Sequence, residues 1–308
     1  MRRHEKKRAF LKWAGGKYPL VEEIKKHLPQ GDCLIEPFVG AGSVFLNTSY
    51  DSYILADINS DLINLYNTVK DRADAFIEEA QQIFTPEYNT SEQYYLMREA
   101  FNQSTDTEKR SVLFLYLNRH CYNGLCRYNS RGEFNVPFGR YKKPYFPKEE
   151  LLWFAEKSQN ATFMTQHYGE TLLNAKEGSV VYCDPPYAPL SDTANFTAYH
   201  TNAFNSLEQQ NLAILAQKLS TESKIPVLIS NHDTPMTREW YYQAQLHIVK
   251  VRRTISRNIL NRTKVNELLA LYPGIPNSLS PRKTDKKKRS ALYLAMNGSQ
   301  ITINNRRQ

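Results

Sequence analysis

Cys33-Leu34-Ile35-Glu36-Pro37-Phe38-Val39-Gly40-Ala41-Gly42-Ser43 is the stretch that decides the fold class. Its first five residues read as a short buried strand, and Gly40 and Gly42 read as a tight turn from which a helix should leave. Tyr53-Ile54-Leu55-Ala56-Asp57-Ile58-Asn59 then reads as a second strand that delivers Asp57 fifteen residues after Gly42. Strand, glycine turn, helix, strand and acid are the opening of an open α/β sheet in which a nucleoside approaches the backbone and the acid accepts from ribose hydroxyls. The third glycine of the dinucleotide pattern is missing, which disfavours a pyrophosphate cofactor and suits a nucleoside without phosphates.

Val180-Val181-Tyr182-Cys183-Asp184-Pro185-Pro186-Tyr187 adds a third strand. Valine and tyrosine favour a buried strand, and two prolines cannot join a ladder, so the strand stops at Asp184. That places a carboxylate on the carboxyl edge of the sheet. The prolines fix φ and hold the Pro185 carbonyl with little freedom. Two acceptors, Asp184 and the Pro185 carbonyl, suit an amino group with two N–H bonds, and Tyr187 offers a flat face for a planar ring.

Helical patterns are expected from Leu20 to Leu28, through residues 61–118 and over Leu207–Leu219, and Val112–Leu117 reads as a buried helix. Further strands are expected at Ile225–Ser230, Leu246–Val251 and Val265–Tyr272, the last two as an edge hairpin joined by a basic loop through Arg257 and Arg262. Leu190–His200 reads as a polar, mobile loop over the pocket.

The 308 residues carry a net charge of +9, unevenly spread. Basic patches lie in residues 1–8, 110–145 and 251–308, while the segments between them are acidic, as for a protein that grips a polyanion at chosen places. Between Arg119 and Phe146, Arg and Lys alternate with Tyr, Phe and Asn. Cations neutralise phosphates, aromatic rings stack on bases, and Asn or Arg can bond base edges. This stretch reads as a nucleic-acid reader of loops and hairpins inserted in the α/β core. Cys33, Cys121, Cys126 and Cys183 are spaced neither for a disulfide framework nor for zinc. No signal-peptide pattern or membrane span is seen.

Phe10-Leu11-Lys12-Trp13-Ala14-Gly15-Gly16-Lys17, Glu36–Ser43, Leu117-Asn118-Arg119 with Tyr122-Asn123-Gly124-Leu125, and Asp184–Tyr187 occur in the order found in the DNA adenine methylase family. The chain resembles that family from Ala9 to Tyr272, and most closely its enterobacterial members, which methylate adenine in GATC. The resemblance implies a Rossmann-like S-adenosylmethionine methyltransferase sheet with helices on both faces. It implies a discontinuous catalytic domain over residues 1–59 and 148–273, an inserted helical and hairpin target-recognition domain over 60–147, and a basic tail over 274–308.

It also implies roles. Trp13, Lys17, Gly40, Gly42, Asp57 and Asp184 would hold S-adenosyl-L-methionine, and Asp184, Pro185 and Tyr187 would carry catalysis. Arg127 would read the first guanine, with Tyr122, Asn123, Leu125, Pro137 and Tyr141 separating and reading the other pairs. Lys12, Arg119, Asn129, Asn135 and Arg140 would contact DNA, mostly at phosphates. The partner would be double-stranded DNA, with no membrane or metal, and the protein would be a monomer in the bacterial cytoplasm at the nucleoid. A DNA-binding regulator that kept the fold and lost catalysis is the alternative. The loop Arg257–Lys264 departs from the family in lacking a glycine-rich turn.

Overall fold

The computed structural model describes residues 6–188, 204–252 and 264–274. Its centre is a seven-stranded sheet of β1 (Cys33–Glu36), β2 (Ser52–Asp57), β3 (Ala161–Thr165), β4 (Ser179–Cys183), β5 (Val227–His232), β6 (Gln245–Arg252) and β7 (Lys264–Tyr272) in the order β3-β2-β1-β4-β5-β7-β6. The first five of these neighbours run parallel. Strand β7 runs antiparallel between β5 and β6, so the expected edge hairpin is present.

Alternation explains why both faces are covered. Leu34, Leu55, Val180, Tyr182, Leu228 and Leu269 face one apolar layer, while Ile35, Val181, Cys183, Ile229, Leu268 and Ala270 face the other. The second layer is closed by α6 (Tyr168–Leu173) and by α7 (Ser206–Glu222), through Leu212, Ala216 and Leu219. The first is closed by α1 (Val21–His27), α2 (Ser60–Gln82) and α5 (Lys148–Lys157).

Helix α2 begins at an Asn59 cap, whose side chain accepts from Leu62 N, and breaks at Arg72 (φ −145°), where Arg72 pairs with Glu79 and Glu108. Leu62, Tyr66 and Val69 before the break join the layer under the sheet. Beyond it the apolar layer continues without interruption into α3 (Ser91–Gln103) and α4 (Thr107–His120), through Tyr94, Phe101, Phe114 and Tyr116.

The helix expected after the glycine turn is absent. A single 3-10 turn, Phe45–Asn47, stands in its place. Side chains take two carbonyls a longer helix would use, Asn47 Nδ2 donating to Ser43 O and Thr48 Oγ1 to Val44 O, while Asn47 Nδ2 also reaches Lys7 O. Such local back-bonding competes with helix growth. The expected loops at Leu190–His200 and Arg257–Arg262, and the tail beyond Gly274, lie outside the described residues. Among the described residues no helix is long and apolar enough to cross a membrane, and no cluster of His, Cys, Asp or Glu is arranged to hold a metal ion.

Candidate active site and nucleic-acid interface

The ends of β1, β2 and β4 lie side by side at the carboxyl edge of the sheet, where open α/β folds bind ligands. At β1, Gly40 (φ 45°) and Gly42 (φ 70°) adopt left-handed conformations. A Cβ on Gly40 would also stand 3.0 Å from Trp13 Nε1, so the turn needs glycine for both conformation and space. At β2, Asp57 accepts from Gly40 N (3.1 Å) and Asn59 N (3.0 Å). Burial pushes its carboxyl up, and these N–H groups oppose the shift. The next side chain, Ile58, is 73% exposed, an apolar surface beside the carboxylate that the sequence reading passed over. Glu36 is buried at the end of β1 with Oε1 unpartnered among the described residues, and burial together with Asp184 holds its carboxyl well above the usual range. Glycine cradle, ribose-type acid, exposed apolar side chain and orphaned acceptor together fit a nucleoside carrying a positively charged amino-acid arm.

At β4, Asp184 forms an ion pair with Lys17 at 2.9 Å. The Lys17 ammonium also lies 4.5 Å from the ring centroid of Tyr187 and donates to Gly15 O at 2.8 Å. Expected at the cofactor alone, Lys17 thus stands between the carboxylate and the aromatic face. Burial raises the Asp184 carboxyl, and Lys17 opposes that shift.

The loop carrying Tyr187 is gripped on both sides. Gln209 Nε2 donates to Pro186 O (2.6 Å), and Ala188 N donates to Asn231 Oδ1 (2.9 Å). Asn231, Gln209 and the Tyr241 hydroxyl close a buried triangle of bonds at 2.9 to 3.2 Å. The Tyr187 hydroxyl donates to Glu267 Oε2 of β7 (2.8 Å), and its ring stands edge-on to His232 at 4.8 Å. None of Gln209, Asn231 and Glu267 was singled out from sequence. Asn231 at the end of β5, next to β4, and Glu267, an acid in an otherwise apolar strand, were the available signals.

The second candidate surface follows α4. Cys121 bridges Phe138, Tyr128 bridges Phe134, and Tyr122 N donates to Pro137 O (2.8 Å), so residues 121–139 fold back on themselves. Tyr122, Asn123, Arg127, Pro137 and Arg140 are exposed, with Leu125 and Tyr141 half-buried beside them. Asn123 (φ 55°) and Arg140 (φ 54°) are left-handed without being glycine, a strain that concentrates at functional surfaces. The Tyr141 hydroxyl accepts from Asn123 N at 3.0 Å, and Lys12 Nζ sits 3.8 Å over its ring.

Three residues expected at DNA, Arg119, Asn129 and Lys12, bond within the chain. Arg119 is only 7% exposed; its Nε donates to Tyr145 O (2.9 Å) and its Nη1 to Phe10 O (3.4 Å), so it ties the N-terminal segment to the chain that follows α4. Asn129 closes the turn at residues 129–133, where Oδ1 accepts from Arg131 N and Glu133 N while Nδ2 donates to Glu133 Oε2. Lys12 donates to Arg119 O at 3.2 Å, and its ammonium is pushed down by burial and by Arg119.

An α/β sheet with two carboxylates at its carboxyl edge, beside an exposed surface of Arg, Asn and Tyr, fits the class of transferases that act on nucleic acids. The family described as D12 class N6 adenine-specific DNA methyltransferase matches residues 13–255. DNA adenine methylases of Serratia marcescens and of Escherichia coli (strain K12) are 73% and 65% identical to this chain. Those alignments cover 87% and 91% of it and 99% of each relative. That of Vibrio cholerae (strain ATCC 39315) is 60% identical over 87% of this chain and 97% of its own. The chain belongs to this methyltransferase family: it is an adenine-specific DNA methyltransferase, DNA is its substrate, and its methyl donor is S-adenosyl-L-methionine.

Proposed function

We propose that this methyltransferase acts on adenine N6 within double-stranded GATC, taking the base out of the stack and into the pocket formed by Asp184, Pro185 and Tyr187. N6 lies inside the duplex, and extrusion costs a few kcal/mol. The observation that carries the reading is the position of Lys17: an N–H donor is held against Asp184 and over the face of Tyr187, as an adenine amino group would be. In the reactive complex, Tyr187 stacks on the base while Asp184 and the Pro185 carbonyl accept the two N6 hydrogens, drawing the nitrogen lone pair out of conjugation. When bound, S-adenosyl-L-methionine would supply the sulfonium-borne methyl group for N6, the C–S electron pair remaining on sulfur. Asp184 is the nearest acceptor for the proton that N6 then sheds. Trp13, Gly40, Gly42 and Asp57 would hold the donor, and the exposed Ile58 beside Asp57 would offer it an apolar surface. No cysteine nucleophile takes part, because the amine attacks directly.

The exposed cluster of Tyr122, Asn123, Leu125, Arg127, Pro137, Arg140 and Tyr141 faces the DNA, with Arg127 on the first guanine. We assign residues 60–147 to target recognition, with the first half of α2 shared with the catalytic sheet, and infer a monomer working at the bacterial nucleoid. Methyl transfer from tritiated S-adenosyl-L-methionine to a duplex with one GATC, beside the same duplex scrambled to GTAC, tests the reading. Label on the GATC adenine alone is expected; equal label on both duplexes rejects the assigned specificity.

A further inference from the structure

This inference rests on the reading of Arg127 as the guanine-recognising side chain. Arg127 Nε donates to Asn135 Oδ1 at 2.7 Å, and Arg127 Nη2 donates to the Asn135 carbonyl at 3.2 Å. Both hydrogens lie along one side of the planar guanidinium, so Asn135 takes up that side edge. The terminal edge, with one hydrogen on each of Nη1 and Nη2, is left as the parallel pair that meets guanine O6 and N7.

Asn135 is itself fixed from behind by its two buried neighbours, Phe134 and Val136. Phe134 N donates to Asn102 Oδ1 (2.8 Å), and Asn102 Nδ2 donates to Phe134 O (3.2 Å). The Val136 carbonyl accepts from the Tyr94 hydroxyl (2.8 Å) and Arg98 Nη1 (3.3 Å). Asn135 N donates to Arg127 O at 3.1 Å. Helix α3 thus anchors the hairpin, the hairpin fixes Asn135, and Asn135 fixes the guanidinium. An arginine ordered before it meets DNA loses less side-chain freedom on binding.

We propose that Asn135 is a positioning residue for sequence choice: it presents the terminal edge of Arg127 to guanine instead of binding a phosphate. The two roles separate experimentally. Losing a neutral side chain's phosphate contact weakens binding on all sequences alike, whereas losing a positioned base contact relaxes one position of the site. The assay compares kcat/KM on a GATC duplex, already methylated on the other strand, with the same duplex carrying A·T at the first pair. Binding to a duplex without the site is followed against salt concentration.

Asn135→Ala should lower discrimination at the first pair roughly tenfold and leave discrimination at the third pair and the salt slope unchanged. Asn135→Asp keeps an acceptor for Nε–H. It should retain most of the discrimination while binding all DNA more weakly, because it adds a negative charge. Discrimination intact in Asn135→Ala, with binding weakened equally on every sequence, overturns the proposal. Arg127→Ala runs alongside. Unchanged first-pair discrimination there overturns the reading of Arg127, and this inference with it. Relaxation in Arg127→Ala but not in Asn135→Ala overturns the positioning role alone.

Discussion

Around Tyr187 the chain is gripped by buried side chains of distant elements, with Gln209 and Asn231 holding Pro186 and Ala188 from beneath. Around Arg127 the grip comes from helix α3 on the backbone of residues 134–136, and the side chains that face outward are exposed. The first arrangement fixes a few atoms for chemistry, where a small displacement costs rate. The second fixes a backbone and leaves the outward side chains free for the DNA contacts proposed above. One chain therefore builds a rigid pocket and a supported outer surface from different materials, and substitutions should separate them.

The widest separation comes from Asp184→Ala, expected to lower kcat by roughly a thousandfold or more while changing DNA affinity by less than about threefold. Equal loss of both, by single-turnover and binding measurements, would merge the two regions. Asn231→Ala releases the grip on Ala188 and breaks the triangle with Gln209 and Tyr241. A kcat loss of roughly ten- to a hundredfold is expected, with sequence discrimination unchanged; a relaxed site preference would contradict this.

Lys17→Met sharpens the pocket side through pH. Lys17 opposes the upward shift of Asp184, so its removal lets that carboxyl rise further. If ionised Asp184 is required, the acid limb of the rate profile moves to higher pH; a limb that stays or moves down rules the pairing out. The smallest effect falls on the reader side. His120, buried and stacked on Tyr116, is pushed down to about 4 by burial. Its folded value lies below its unfolded one, so the unfolded chain binds the proton first, and stability is lost as pH falls from the ordinary histidine value of about 6.5 towards 4. The upper bound is on the order of 3 kcal/mol. His120→Phe should flatten that part of the stability curve in chemical denaturation, and an unaltered slope would remove His120 as its cause.

What was legible in the sequence follows from these materials. Residues 33–59 and 180–187 announce strands and strand-end acids because strand periodicity and proline stops are local properties. The missing helix after Gly42 was not legible, since Asn47 is drawn away by Lys7, forty residues earlier. The supports of the pocket were hidden for the same reason: Gln209 belongs to a helix, Glu267 to a strand eighty residues beyond Tyr187. The burial of Arg119 was not legible either, because sequence shows its charge but not the carbonyls of Phe10 and Tyr145 that it bonds.

The insertion of β7 between β5 and β6 also sets a schedule. Strand β6 finds its ladder partner, and Tyr187 its Glu267 acceptor, only after the chain has been made through Tyr272. A ribosome releasing this protein stepwise therefore holds a half-sheet with an exposed edge at β5 until the final described strand emerges. Nascent chains that bind DNA early would do so without a finished pocket, and the capacity to methylate would wait until Tyr272 has emerged.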